Sequence, residues 1–194
     1  MTLLIIGLVL FLGIHSFGIV GLRDRMVTAI GEGPWKGLYA LIALVGFGAI
    51  VYGYGPARAA GEVVWVPPVW TRHLALTLML PVFTLITAAY FPGRISRAVG
   101  HPMLVGTTIW ALAHLLANGG SHDMLLFGTF LGWAVLDVAS FGWRERRAIP
   151  GAPPGPFNDG VAVVVGLGLY AGFVLFAHAW LFGVAPLPSL SLLG

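Results

Sequence analysis

Six apolar stretches, parted by short breaks rich in charge, glycine and proline, govern what this chain can fold into. They are Thr2–Val20, Trp35–Tyr52, Arg72–Phe91, Pro102–Asn118, Asp123–Phe141 and Gly160–Phe182. Runs of about 17–25 apolar residues cross a bilayer's hydrocarbon as helices. Within that layer no water satisfies backbone N–H and C=O groups, so only helices and closed barrels span it. The 194-residue chain is 58% hydrophobic and 9% charged. A soluble domain carries about a quarter charged residues, so this chain could not cover a surface in water. The expected fold is therefore all-α: an integral membrane six-helix bundle, one domain over residues 1–194, with no separate soluble domain.

The first stretch has no basic residue before it, and its first charges, Arg23 and Asp24, follow it. A cleaved secretory signal has the opposite order, so a retained helix is expected. Lysine and arginine mark the cytoplasmic side. Arg23, Arg25, Lys36, Arg94, Arg97, Arg144, Arg146 and Arg147 fall in or beside the first, third and fifth loops, whereas only Arg58 and Arg72 flank the second. The odd loops are thus expected in the cytoplasm and both termini on the periplasmic side. The net charge of +3 follows from this topology, since the basic residues form short clusters at helix ends. It does not mark a nucleic-acid partner. With no cysteine in the chain, disulfides, thiolate metal sites and covalent c-type haem are all excluded.

Glycine and proline punctuate the loops: "GEGPWK" before the second stretch, "VWVPPVW" at an outer interface, and "IPGAPPGPFNDG" before the sixth. Gly128/Gly132 and Gly168/Gly172 have the four-residue spacing that lets helices approach closely in lipid. Pro81 is expected to kink the third helix.

Depth sorts the polar residues. His73, His122 and His178 fall near the outer interface, where an amphipathic ring sits comfortably, and His101 falls at the inner edge. His15 and His114 lie well inside the hydrocarbon, where an ionisable group is costly and is by default a functional candidate. At about 1.5 Å per residue the two differ in depth by roughly 9 Å of a core about 30 Å thick. Trp110, His114 and Asn118 share one helix face at i, i+4, i+8. Asn118 would either meet a polar edge or cap the helix before Gly119-Gly120. Asp137, near the inner end of the fifth stretch, either accepts the second N–H of His15 or pairs with an inner-loop arginine.

The segment Gly100–Arg147, with its HP pair, its "WALAHLLANG" run, its "LFGTFLGWA" stretch and its closing Asp-plus-basic pattern, closely resembles the NnrU family of bacterial membrane proteins. "HSFGIVGLRDR" is similar to that family's His-Ser element, so the resemblance spans most of the chain. It implies the bacterial inner membrane and an association with nitrite and nitric oxide reduction. The family is related to 15-cis-zeta-carotene isomerase, a membrane enzyme whose haem b is held by two histidines. Carried over residue by residue, those histidines fall on His15 and His114. The resemblance thus implies haem b with His15 and His114 as metal ligands, and Trp110, Asn118 and Asp137 join them as candidate cofactor-binding residues around it. Besides the lipid bilayer, the implied partner is a lipophilic polyene or a small gas ligand.

Three rival readings stand beside this one. The first, which the resemblance to the bacterial family implies, is an accessory protein of a reductase system with no chemistry of its own. The second is methyl transfer from S-adenosylmethionine, of which "GHPMLVG" is a partial echo; Gly100 and Leu104 replace the arginine and tyrosine of that element, and no tyrosine lies between Tyr90 and Tyr170. The third is a proton pathway through Asp137 and His15, which lacks the internal repeat of secondary transporters.

Overall fold

A computed structural model describes residues 1–145 and 149–187. Arg146 and Arg147 of the basic cluster lie outside the described residues. The described chain is helical: α1 (Thr2–His15), α2 (Leu22–Ile30), α3 (Glu32–Ala59), α4 (Val69–Tyr90), α5 (Arg94–Val99), α6 (Pro102–Ala117), α7 (Ser121–Ser140), α8 (Asn158–Gly172), a π-helical turn (Phe173–Ala177) and α9 (His178–Phe182).

Among the described residues, four helical runs are long and apolar enough to cross a membrane: α3, α4, α7, and α8 continued through the π turn and α9. The first and fourth expected stretches fold as shorter apolar helices, α1 with 14 residues and α6 with 16. At about 1.5 Å per residue these reach roughly 21–24 Å, less than a hydrocarbon core of about 30 Å. The first stretch leaves the α-helix after His15, and the chain then runs in turns to Gly21. Gly21, at φ 72°, adopts the left-handed backbone that opens α2. The second stretch is longer than expected, and α3 runs unbroken over 28 residues with Pro56 inside its last turns. Helix α6 begins at Pro102, a first-turn position where the missing N–H costs nothing.

The chain forms two compact units. In the first, Met1–Val64 with Gly120–Glu145, α1 packs chiefly along α3. The approach is close because the contact points are glycines. A Cβ on Gly46 would lie 2.7 Å from the Phe11 backbone nitrogen, one on Gly53 2.6 Å from that of Leu4, and one on Gly7 2.6 Å from that of Ile50. Leu4, Leu8, Leu12 and Ile14 are buried along this seam.

In the second unit, Trp65–Gly119 with the described part of Arg146–Gly194, α4 is central and packs on α6 and α8. Val82, Leu85 and Ala88 fill its buried face, and Gly166 of α8 rests on Thr84, where a Cβ would meet backbone at 2.5 Å. The expected glycine pairs do not serve this purpose. Gly128, Gly132, Gly168 and Gly172 have no atom near the position of a Cβ. Their four-residue spacing is right, but among the described residues it brings no neighbouring atom within 4 Å of a Cβ at these positions.

Large apolar side chains face outward along the long helices. Leu44 is 69% exposed and Val164 73%. Such a surface is solvated by lipid tails, not water, and it marks a membrane protein.

Candidate functional site

His15, the last residue of α1, lies in the first unit, half-buried among aromatic rings. Phe11 is 4.3 Å away between ring centroids, Tyr39 of α3 5.2 Å, and Trp133 of α7 6.0 Å and edge-on. Its Nδ1 is 2.6 Å from the Phe11 carbonyl oxygen. A carbonyl only accepts, so Nδ1 carries the proton and Nε2 carries the lone pair. The indole N–H of Trp133 is buried and has no hydrogen-bond partner among the described residues. A buried donor of this kind costs about 1–3 kcal/mol unless something accepts from it.

Asp137 makes the ion pair that was one of its two expected roles. The Arg144 guanidinium donates to its carboxylate and also, at 2.5 Å, to the Ser140 hydroxyl, while lying over the Phe141 ring. The Nδ1 proton of His15 goes to Phe11, not to Asp137.

His114 stands in the second unit, one turn from the end of α6, and repeats the arrangement seen at His15. Its Nδ1 donates to the carbonyl of an aromatic residue four positions earlier, Trp110, at 2.8 Å. The Trp110 ring lies 5.3 Å from the imidazole, so the two residues share a face as their spacing predicts. Asn118 takes the capping role. Its backbone N–H and its side-chain amide both donate to the His114 carbonyl, each at 2.9 Å. Its own carbonyl accepts from the Trp65 indole.

His178, expected near the outer interface, lies beside His114. The ring centroids are 6.4 Å apart and the planes are within 17° of parallel. Nδ1 of His178 donates to the Val184 carbonyl at 2.7 Å. Phe173 and Phe182 flank the ring. The π turn Phe173–Ala177 immediately precedes His178. Such a turn adds a residue per helical repeat and re-aims the side chains after it, which an α-helical depth count does not anticipate.

A second cluster escaped the sequence reading altogether. His122, expected near the outer interface, and Asp123, the first residue of the fifth stretch, are buried at 6% and 4% exposure in the first unit. The Tyr54 hydroxyl donates to Asp123 at 2.7 Å, and the Gly120 N–H donates to the other carboxylate oxygen at 3.0 Å, capping α7. The His122 Nε2 lies 3.4 Å from Asp123. Gly61 and Gly120 press against the imidazole so closely that a Cβ on either would overlap it. The signal available in the sequence was the lone Asp three positions into an apolar helix after a glycine pair. Its partner Tyr54 is too distant along the chain to be paired by pattern. This cluster fastens the end of α3 to the start of α7.

Among the described residues no three His, Asp or Glu side chains come together as a metal site. A bare cation held by protein alone wants about four or more ligands. Haem brings four of its own and asks the protein for one or two imidazoles. The donor sets fit that demand. His15, His114 and His178 each hold Nδ1 on a backbone carbonyl, the outer hydrogen bond that orients a ligating histidine. Aromatic walls surround each ring, and the Trp133 N–H beside His15 is an orphaned donor suited to a cofactor carboxylate.

The family model described as "NnrU protein" matches residues 3–186 of this chain. No curated protein and no solved structure matches it.

Proposed function

Because the chain belongs to the NnrU family, we propose that it is a haem b-binding protein of the bacterial inner membrane, acting beside nitrite and nitric oxide reduction. His15 and His114 are the histidines assigned to iron. One observation carries this reading: both imidazoles, on different helices, are held by the same device, Nδ1 on the carbonyl of an aromatic residue one turn back. That device sets the tautomer in which Nε2 can bind a metal. The second part of the proposal is topological, with α1 and α6 completing six crossings, both termini periplasmic and the arginine-bearing odd loops cytoplasmic.

Bound haem would supply an iron that takes up small diatomic ligands and changes oxidation state. The chain's own residues would do the rest. In the second unit Trp110 would wall a group held by His114, with Asn118 ending α6 one turn on; in the first unit the Trp133 N–H beside His15 would donate to an acceptor on a group held there. Asp137 is held by Arg144 near the end of α7.

The aromatic setting of His114, with Trp110, Phe173 and Phe182 nearby, supports a second reading, a haem-dependent cis–trans isomerase of a poly-cis carotenoid. Incubation with such a polyene separates the two readings, since only the isomerase changes its absorption. The test common to both is the absorption spectrum of detergent-purified protein, oxidised and dithionite-reduced. A Soret band with sharp reduced α and β bands, lost or shifted in His114→Ala, is expected. A folded protein that stays colourless after haem supplementation refutes both.

A further inference from the structure

One end of the second unit carries an open cleft of about 600 Å³, lined by Arg94, Ile95, Arg97, Ala98 and Asp159. That is within the roughly 300–1,000 Å³ of small-ligand sites. Three apolar helices reach this end: α4 stops at Tyr90, α6 starts at Pro102 and α8 starts at Asn158. Hydrogen bonds hold the start of α8 level with the end of α4. The Ala152 N–H donates to the Tyr90 carbonyl at 2.8 Å, and the Asn158 amide donates to that of Pro92 at 2.9 Å. The ends of membrane-crossing helices lie where hydrocarbon gives way to headgroups, so the short α5 that lines the cleft sits at headgroup depth.

Helix α5 reads RISRAV. Arg94 and Arg97, three residues apart, share one face, and Ile95 and Val99, four apart, share another. Both arginines are exposed. The ion pairs among the described residues are Arg23–Asp24, Lys36–Glu32, His122–Asp123 and Arg144–Asp137, and neither Arg94 nor Arg97 is in one. The nearby carboxylate is spent on backbone. Asp159 accepts from the Arg94 N–H through Oδ2 and from the Ile95 N–H through Oδ1, each at 3.0 Å. Gly93 admits it there, since a Cβ on that residue would overlap the carboxylate. Two guanidiniums against one carboxylate leave the cleft with a net positive charge.

This set of groups selects among anions. A free anion is best enclosed by backbone N–H groups, but Asp159 already occupies those that begin α5. What the cleft offers is two guanidinium forks, which match phosphate oxygens, beside apolar surface open to the bilayer. Val99 is 36% exposed, and Phe157, two residues before Asp159, is 82% exposed. We propose that this cleft binds an anionic phospholipid, with Arg94 and Arg97 on its phosphate and the apolar residues of α5 beside the start of its acyl chains. Basic pockets between helix ends recognise anionic headgroups in this way. The site is separate from the histidines and does not depend on the haem reading.

The test is native mass spectrometry and thermal unfolding of the full chain in mild detergent, titrated with phosphatidylglycerol. Wild type should retain one such lipid and gain in Tm, whereas phosphatidylcholine and inorganic phosphate at the same concentration should do neither. Apparent affinity should fall about fivefold in R94Q or R97Q and roughly 25-fold in R94Q/R97Q. The single variants carry the comparison if the double one is unstable. R23Q/R25Q removes two positive charges from α2, outside the cleft, and should bind as wild type does. An equal loss in R23Q/R25Q would overturn the proposal, because net charge and not the cleft would then hold the lipid. Equal retention of phosphatidylcholine would overturn it as well, and so would inorganic phosphate that binds as tightly as the lipid.

Discussion

Replacing Gly46 by alanine tests the seam between α1 and α3 more sharply than any larger change. The added Cβ would sit 2.7 Å from the Phe11 nitrogen, 3.0 Å from its Cα and 3.1 Å from the Leu10 Cβ. Two of those three atoms are backbone, so no rotamer change relieves the overlap and α1 must move outward. Ordinary contact begins near 3.4 Å, so the shift is roughly 0.7 Å, enough to forfeit a quarter to a half of each dispersion contact across the gap. Leu4, Leu8 and Leu12 would all loosen. In lipid no hydrophobic driving force pushes the helices back together, so packing loss appears directly. The expected cost is about 2 kcal/mol, or a drop in Tm of about 5 °C. G48A is the control: it lies in the same helix, and nothing stands within 4 Å of its Cβ position. Thermal unfolding in a mild detergent should separate the two. Equal Tm values for G46A and G48A would refute the claim that backbone contact at glycine defines this seam.

Removing the Tyr54 hydroxyl with Y54F strips one of the hydrogen bonds to buried Asp123 and should cost about 1–3 kcal/mol, read by denaturant titration; an unchanged midpoint would contradict the polar fastening of α3 to α7. Breaking the Asp137–Arg144 pair with R144A should destabilise by about 2 kcal/mol by leaving a mostly buried carboxylate uncompensated, and the R144A/D137N double variant should recover part of the loss; additive effects would show the pair to be uncoupled. Because the chain has no cysteine, single cysteines can map its topology. K36C and R97C should react with a membrane-impermeant reagent only from the cytoplasmic side and E62C only from the periplasmic side; the reverse pattern would invert the proposed orientation.

The long helices were readable because each is an apolar run closed by charge or by glycine and proline. Helices α4 and α7 lie where hydropathy placed them, and α3 covers its expected stretch and runs on to Ala59. The unexpected elements are those that hydropathy does not encode. The turns after His15 lead to a left-handed glycine, Gly21, that opens α2, and α2 and α5 are short helices inside loops. Glycine spacing identified a capacity for close packing but not the face that used it, so Gly7, Gly46, Gly53 and Gly166 were passed over for Gly128, Gly132, Gly168 and Gly172. At the candidate site, the shared face of Trp110 and His114 was legible from periodicity alone. The neighbourhood of His178 was not, because the π turn before it breaks the periodicity on which depth reasoning depends. The burial of His122 and Asp123 was hidden for another reason: it arises from glycines on two segments far apart in the chain, Gly61 and Gly120.

The central claim is that this membrane protein holds haem b through histidine. A pyridine haemochrome assay on detergent-purified wild type, alongside H114A prepared in the same way, tests it most directly. Stoichiometric haem b is expected in the wild type and a marked loss in the variant. Haem absent from a well-folded wild type after reconstitution, or bound equally by H114A, would contradict it.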